Sequence, residues 1–203
     1  MDESLRVFTT NERIFIGSVY FGLGSIILPL HLAILALFLI HEDYRKQVAY
    51  RIMFSIGIAD CLQQISHIYA GLITLTANNF SFTLEKFMGG LGNAAWLAMI
   101  PQTLVLALNR YNVFRKQNPS SYFGTFQFLL FCCWIFGGAF FVTYMSSNTG
   151  ILYDMYNFYW AYDHGSWSDI VSLIEYYSSV PLLIMAFIVY IGVVINITSM
   201  VSL

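Results

Sequence analysis

The chain of 203 residues is 58% hydrophobic and 18% aromatic, and only 10% of its residues are charged. A soluble domain carries about 25% charged residues, and a disordered chain is polar and poor in aromatic side chains, so both classes are excluded. The formal net charge of -2 also argues against a nucleic-acid binder, which needs a concentrated basic surface. The composition therefore indicates an integral membrane protein.

Five apolar segments are predicted to cross the bilayer as helices. As a helix, about 20 apolar residues cross a hydrocarbon core of about 30 Å. The segments cover about residues 14–40, 52–76, 87–111, 122–145 and 170–203. A β-barrel would instead show strands of about 10 residues with alternating polarity. We therefore predict an all-α, multi-pass transmembrane bundle over residues 14–203, preceded by an N-terminal segment, residues 1–13.

Basic residues predict the orientation of this bundle, because Lys and Arg are enriched in cytoplasmic loops. The loops after the first and third spans, with their flanks, carry six basic residues, and the other side carries three. Residues 1–13 are thus expected outside, without a cleavable signal peptide, and the C-terminus inside, in a protein of the plasma membrane. The six basic residues are Arg45, Lys46, Arg51, Arg110, Arg115 and Lys116.

Cysteine usage and one sequon bear on the extracellular side. Cys61, Cys132 and Cys133 all fall within predicted spans, so we expect them to pack as small apolar side chains and not to form an extracellular disulfide. The loop after the second span contains Asn79-Phe80-Ser81, an N-glycosylation sequon. Because this loop is short and close to the membrane, its position disfavours glycosylation.

Polar side chains mark one face of the second span. Asp60 lies nine residues past Arg51, which is about 13 Å along a helix and close to the bilayer midplane. A carboxylate at that depth costs about 2.5–3.5 kcal/mol on insertion scales and is expected to face the bundle interior. Gln63, Gln64 and His67 follow it at helical spacing. A functional site and a structural hydrogen-bonding node both remain open for Asp60.

Two further landmarks lie in the third and fifth spans. Arg110 closes the third span, where a boundary arginine ordinarily extends to the lipid headgroups. Pro181 is expected to interrupt and kink the fifth span, since a proline removes one backbone hydrogen bond from a helix.

A ligand pocket is predicted from depth in the membrane. Four residues in the outer halves of the spans offer hydrogen bonds and aromatic faces, which ligand pockets use, although interior packing would explain each of them too. They are His67, Asn93, Trp96 and Tyr177. The aromatic-rich loop 153–167 between the fourth and fifth spans is expected to lie at the membrane interface, which tyrosine and tryptophan favour; a lid over the pocket is the alternative.

Four landmarks, in order, resemble those of rhodopsin-like, G-protein-coupled seven-helix receptors. They are Asp60 in the second span, Asn109-Arg110-Tyr111 at the end of the third, Trp134 in the fourth and Pro181 in the fifth. The closer resemblance is to the nematode serpentine chemoreceptors of class T. It is carried by residues 24–32, 50–60 and 107–111, and it is best between about residues 17 and 114.

The resemblance implies a chemosensory receptor with no cofactor. A small chemical or peptide signal would bind among the outer halves of the helices, and a heterotrimeric G protein would bind the inner face. Asn109, Arg110 and Tyr111 would form part of that inner surface.

The resemblance also implies structural roles for three residues. Asp60 would be the buried polar hub, Trp134 would pack against the second and third spans, and Pro181 would let the fifth helix bulge.

Two departures from the receptor pattern stand out. Asn109 replaces the acid that precedes the arginine in the wider class, so Arg110 lacks the neighbouring carboxylate that would hold it in an inactive receptor. The sequence also covers only five of the seven helices that the resemblance implies. From this we expect a fragment or truncated form with little signalling activity of its own.

Two other function classes fit the sequence less well. A transporter or channel subunit is the alternative function, but such folds often carry internal repeats, and no convincing repeat is present in this sequence. An enzyme is not expected, because metal chemistry needs clustered ligands and the four histidines are scattered. They are His31, His41, His67 and His164.

Overall fold

The computed structural model describes residues 9–114 and 123–201. Within these ranges six helices and two strands follow in the order α1 Thr10–Ile40, α2 Glu42–Lys46, α3 Val48–Thr76, α4 Phe82–Phe114, α5 Phe123–Met145, β1 Ile151–Asp154, β2 Tyr159–Tyr162 and α6 Ser168–Val201. Most of the predicted N-terminal segment lies outside the described residues, as do Arg115, Lys116 and Tyr122.

The prediction of an all-α membrane bundle is confirmed, and each predicted span is a helix. Four described helices are long and apolar enough to cross a membrane: Thr10–Ile40, Phe82–Val113, Phe123–Met145 and Ser168–Thr198. The remaining helix, α3, has 29 residues, about 43 Å at 1.5 Å per residue. Its length suffices, but Asp60 and the polar residues that follow it interrupt the apolar sequence of α3, which is not among these four.

Helix α4 is the centre of the bundle. It packs against α3, α5, α6 and β1, and half of its most apolar stretch is buried, against 11–17% for the other three apolar helices. Helix α1 packs mainly against α3, and small residues bring these two helices close together. A Cβ atom added at Gly71 of α3 would lie only 2.5 Å from the backbone nitrogen of Phe21 in α1. Small residues at such contacts are typical of membrane helices, where close backbone approach replaces the hydrophobic driving force.

Pro181 does not end the fifth span. Helix α6 continues through it to Val201, so the predicted single span is one continuous helix, and the expected kink at Pro181 stays a prediction. A membrane helix tolerates the loss of one backbone hydrogen bond, because neighbouring groups can satisfy the freed carbonyl.

The loop between α5 and α6 contains a short antiparallel hairpin that the sequence did not predict. Ile151 pairs with Tyr162, and Asp154 pairs with Tyr159. The Asp154 carboxylate accepts backbone hydrogen bonds from Tyr156 and Asn157 at 2.8 and 3.2 Å, which shapes the turn.

The hairpin covers one end of the bundle, as the lid alternative predicts for its inner face, and its position at the membrane interface stays a prediction. Ile151, Tyr153 and Phe158 are buried, whereas Tyr156 and Tyr159 remain exposed. Alternation along a strand explains part of this division, because successive side chains point to opposite faces. The Tyr153 hydroxyl lies 2.7 Å from the Thr74 hydroxyl of α3, and burial raises the pKa of Tyr153 to about 12, so this phenol stays neutral in the contact.

The loops collect at two opposite ends of the bundle. We call the end that carries β1 and β2 the hairpin end, and the end that carries Arg45, Arg51 and Arg110 the basic end. The Arg51 guanidinium lies 4.6 Å from the ring centroid of Phe123 at the start of α5. Arg110 Nη2 lies 3.9 Å from the sulfur of Met53 in α3. The described loops with the basic residues therefore share one end, as the charge pattern predicted.

Candidate functional site

A cavity of about 200 Å³ lies at the hairpin end between α3, α4 and β2. The structure brings three of the four predicted pocket residues together in it, namely His67, Asn93 and Trp96. Gln63 and Ser66 of α3, Gly89 and Gly92 of α4 and Trp160 of β2 complete its lining. The cavity has polar and aromatic walls, and no Asp, Glu, Lys or Arg is among its lining residues.

Glycines on α4 create the space for this arrangement. A Cβ atom at Gly92 would lie 2.8 Å from the side chain of Ser66, so α3 and α4 approach closely there. The Ser66 hydroxyl donates to the backbone oxygen of Met88 at 2.8 Å and joins the two helices. At Gly89 an added Cβ would lie 2.9 Å from the ring of Trp160. The hairpin therefore rests its indole directly on the α4 backbone.

Trp160 forms one wall of the cavity. It was not among the four pocket residues predicted from the sequence. Its indole stacks on Tyr69 at 6.5 Å between ring centroids and meets Tyr153 edge to face at 5.2 Å. The indole nitrogen is buried and has no hydrogen-bond partner among the described residues. A buried indole N–H usually finds a partner, so this lining residue carries an unused hydrogen-bond donor.

A hydrogen-bond network connects the cavity to α5 and α6. The Asn93 amide donates to the Tyr144 hydroxyl at 2.8 Å and to the Glu175 carboxylate at 2.9 Å. The hydroxyls of Tyr144 and Tyr162 donate to the same carboxylate oxygen. Burial raises the pKa of Tyr162, and the hydrogen bond to the Glu175 carboxylate raises it further. The network therefore joins one cavity residue to two further helices and the hairpin.

Glu175 is the second residue that the sequence analysis missed; it does not line the cavity but accepts a hydrogen bond from Asn93, which does. Tyr177 is 67% exposed, and its ring contacts Tyr176 at 5.5 Å. It does not line the cavity. Two residues along a helix turn the side chain by about 200°, so a helix that points Glu175 inward points Tyr177 outward. A lone carboxylate near the start of an apolar span was the signal available in the sequence.

Asp60 lines a different cavity, of about 280 Å³, between α1, α3 and α4. His31 lines it too, and its Nδ1 is buried with no hydrogen-bond partner among the described residues. No hydrogen bond joins the half-buried Asp60 carboxylate to another described side chain. A side-chain hydrogen bond between α3 and α5 is formed elsewhere: the Trp134 indole of α5 donates to the Ser55 hydroxyl of α3 at 2.8 Å. In the part of the chain that the structure describes, no cluster of three His, Cys, Asp or Glu could hold a metal ion.

The three residues singled out at the end of the third span lie at the basic end. Arg110 is exposed, and no described carboxylate lies within ion-pair distance of it. Asn109 is buried, and its Oδ1 has no hydrogen-bond partner among the described residues. Tyr111 is half-buried near α6, where a Cβ added at Gly192 would lie 3.8 Å from its ring. Of these three residues, Arg110 is the charged one, and its side chain is exposed.

The side-chain nitrogen of the sequon residue Asn79 forms a hydrogen bond within the fold. Asn79 Nδ2 donates to the Glu85 carboxylate at 2.9 Å, and Glu85, which is buried, also accepts the backbone N–H of Tyr153 at 2.8 Å. The three cysteines are free: Cys61 and Cys133 are buried, and Cys132 is exposed.

Comparisons with known proteins bear on the fold and the family. A family model described as "Serpentine type 7TM GPCR chemoreceptor Srt" matches residues 2–202. The crystal structure of squid rhodopsin matches with a TM-score of 0.79 and 12% sequence identity, over 95% of this chain and 57% of the rhodopsin chain. No curated protein matches. The chain thus spans little more than half the length of that receptor, and the likeness shows that the two share their fold.

Proposed function

Since this chain belongs to the Srt family of serpentine, seven-transmembrane G-protein-coupled chemoreceptors, we propose that it recognises a small chemical signal in the hairpin-end cavity and passes that signal to a heterotrimeric G protein at the basic end. The observation that carries this proposal is the convergence of His67, Asn93 and Trp96 on one cavity that Trp160 closes. In this proposal the hairpin end faces outward from the plasma membrane. The transporter alternative receives no support from the comparisons.

The size and chemistry of the cavity indicate what it binds. An apolar cavity of about 150 Å³ holds benzene, so about 200 Å³ suits a ligand of about ten non-hydrogen atoms. Sites for larger ligands measure about 300–1,000 Å³, which favours a small chemical over a peptide. The lining carries no formal charge, which favours an uncharged ligand. The unpartnered Trp160 N–H favours one with a hydrogen-bond acceptor, such as a carbonyl oxygen or a heteroaromatic nitrogen.

Helix α4 offers a physical route between the two ends. Asn93 lines the cavity and donates to Glu175 of α6, so a ligand that contacts Asn93 alters a contact between α4 and α6. Arg110 lies 14 residues past Trp96 on the same helix, about 21 Å away. A ligand shifts the balance between two helix arrangements only by its differential affinity for them. The Asn93–Glu175 contact is a place where that difference can arise.

Replacing Trp160 with phenylalanine tests the cavity. This change keeps an aromatic ring over Gly89 but removes the indole N–H. We expect a potency loss of about tenfold for any agonist whose acceptor pairs with that donor, the size of one buried hydrogen bond. The measurement is G-protein activation in cells that express a seven-helix receptor containing this chain, by a panel of uncharged carbonyl compounds and heteroaromatics of about ten non-hydrogen atoms.

Trp167 provides the matched control. It lies in the same loop, 52% exposed and outside the cavity lining, so Trp167→Phe should leave potency unchanged. Equal potency in the Trp160 variant, or a response confined to charged peptides, would show that the cavity is not the ligand site as proposed.

Replacing Arg110 with alanine tests the inner surface. Because Arg110 is exposed at the basic end, we expect agonist-evoked nucleotide exchange by a seven-helix receptor containing this chain to fall at least tenfold, about 1.4 kcal/mol, while agonist affinity at the distant cavity stays the same. Lys46→Ala is the control, since this substitution also removes a positive charge at the basic end. Among the described residues, Lys46 forms an ion pair with Glu42. Normal exchange with Arg110→Ala, or an equal loss with Lys46→Ala, would contradict a specific role for Arg110.

A further inference from the structure

A third cavity, of about 310 Å³, lies at the basic end where α1, α2 and α3 meet. It belongs to neither the ligand cavity nor the cavity around Asp60. Aromatic side chains form its walls: the Tyr44 ring lies 4.6 Å from the Tyr50 ring and 5.8 Å from the Phe38 ring, centroid to centroid. Phe54 completes this wall. Such a slot accepts an apolar chain.

Two arginines give this cavity a positive charge. Arg45 and Arg51 line it, and no Asp or Glu is among its lining residues. The nearby acid Glu42 is paired with Lys46 at 3.1 Å, and Asp43 lies outside the lining. The cavity therefore carries a local excess of positive charge, although the whole chain has a net charge of -2.

Contacts hold the Arg51 side chain in place, whereas the Arg45 side chain has no hydrogen-bond partner among the described residues. Arg51 Nε donates to the backbone oxygen of Arg45 at 2.6 Å, and the Arg51 guanidinium lies over the ring of Phe123. That hydrogen bond uses one of the five N–H donors of a guanidinium. No hydrogen bond joins the Arg45 guanidinium, or the hydroxyls of Tyr44 and Tyr50, to another described residue. Several side chains with hydrogen-bond donors therefore line this cavity and have no acceptor among the described residues.

The cavity also lies where the bundle is expected to meet the boundary between hydrocarbon and lipid headgroups. Helix α1 ends at Ile40 and α3 begins at Val48, so the cavity lies at the ends of two membrane helices. Beside it, Leu39 and Ile40 expose their apolar side chains. A molecule here meets positive charge on one side and an apolar surface on the other.

We propose that this cavity binds one anionic phospholipid. Its phosphate lies against Arg45 and Arg51, and its acyl chain follows Phe38, Leu39 and Phe54. Guanidinium groups match phosphate geometry, and basic pockets between membrane helices bind anionic headgroups. A free phosphate ion would satisfy the charge but leave the aromatic wall empty, so the lipid fits this cavity better.

Native mass spectrometry of the purified chain in detergent tests this proposal. The probes are phosphatidylglycerol and phosphatidylcholine with identical acyl chains, offered in equal amounts. Both lipids carry a phosphate, but the choline cation cancels its charge in phosphatidylcholine, so we expect phosphatidylglycerol to be retained roughly fivefold better for each arginine beside the headgroup. Arg45→Gln should remove about one such factor without disturbing the fold, since its side chain bonds to no described residue.

Controls separate this site from general attraction to positive charge. Arg13→Gln removes a positive charge near the start of α1 at the hairpin end and should leave the preference for phosphatidylglycerol unchanged. An excess of inorganic phosphate should not displace the bound lipid. Equal retention of the two lipids, full preference in Arg45→Gln, or displacement by inorganic phosphate would each overturn the proposal.

Discussion

Replacing Glu175 with alanine should lower the free energy of unfolding by about 3–5 kcal/mol. The Glu175 carboxylate accepts hydrogen bonds from Asn93, Tyr144 and Tyr162. Tyr144 is completely buried, so water cannot replace the lost acceptor for its hydroxyl. The change also removes the contacts that join α6 to α4, α5 and the hairpin through this carboxylate. The measurement is thermal unfolding in detergent, followed by circular dichroism.

Two further variants make this result interpretable. Glu42→Ala removes a carboxylate from an exposed ion pair with Lys46 and should cost no more than about 1 kcal/mol. Tyr162→Phe combined with Glu175→Ala should cost less than the sum of the two single changes, because both act on one hydrogen bond. A Glu175→Ala protein as stable as Glu42→Ala would mean that the network does not stabilise the bundle.

The spans could be predicted because the bilayer core sets a minimum length of apolar sequence. Their ends could not, because helices continue into polar sequence beyond the core. Helix α1 begins at Thr10 and not at residue 14, since Thr9 and Glu12 form a capping box ahead of the apolar segment. Helix α4 likewise begins at Phe82, five residues before the predicted span. Composition alone therefore predicts only the part of each helix that crosses the hydrocarbon core.

The candidate site could be predicted only in part. Depth in the membrane correctly grouped His67, Asn93 and Trp96, since residues at one level on neighbouring helices meet. Depth could not choose between Glu175 and Tyr177, because the rotation of α6 about its axis decides which one faces inward. An α6 that is apolar on nearly every side gives no periodic signal for that rotation. Trp160 reaches the cavity through a strand pairing in the loop, which no helix pattern predicts.

Asp60 illustrates the same limit at mid-depth. Its position in the second span predicted that it would face protein and not lipid; it is half-buried and lines a cavity with His31. The hydrogen-bonding role expected for such a residue depends on partners from other helices, which sequence position does not specify. The hydrogen bond that joins α3 to α5 uses Ser55 and Trp134 instead.

Replacing Gly71 with alanine should destabilise the packing of α1 on α3 by about 3 kcal/mol, the upper part of the range for overpacking in a dense interior. The added Cβ would lie 2.5 Å from the backbone nitrogen of Phe21 and 2.9 Å from its Cα. Backbone atoms cannot rotate away as a side chain can, so the two helices must separate. Because α1 packs mainly against α3, separation there leaves α1 with few other contacts. Thermal unfolding in detergent measures the loss.

Gly22 provides the matched control one position along α1 from Phe21. An added Cβ there meets no atom within 4 Å, and alanine favours a helix over glycine by up to about 1 kcal/mol, so Gly22→Ala should be neutral or slightly stabilising. The two variants make the same chemical change on the same helix pair and differ only in backbone proximity. If Gly71→Ala were as stable as Gly22→Ala, close backbone approach would not be what holds α1 to α3.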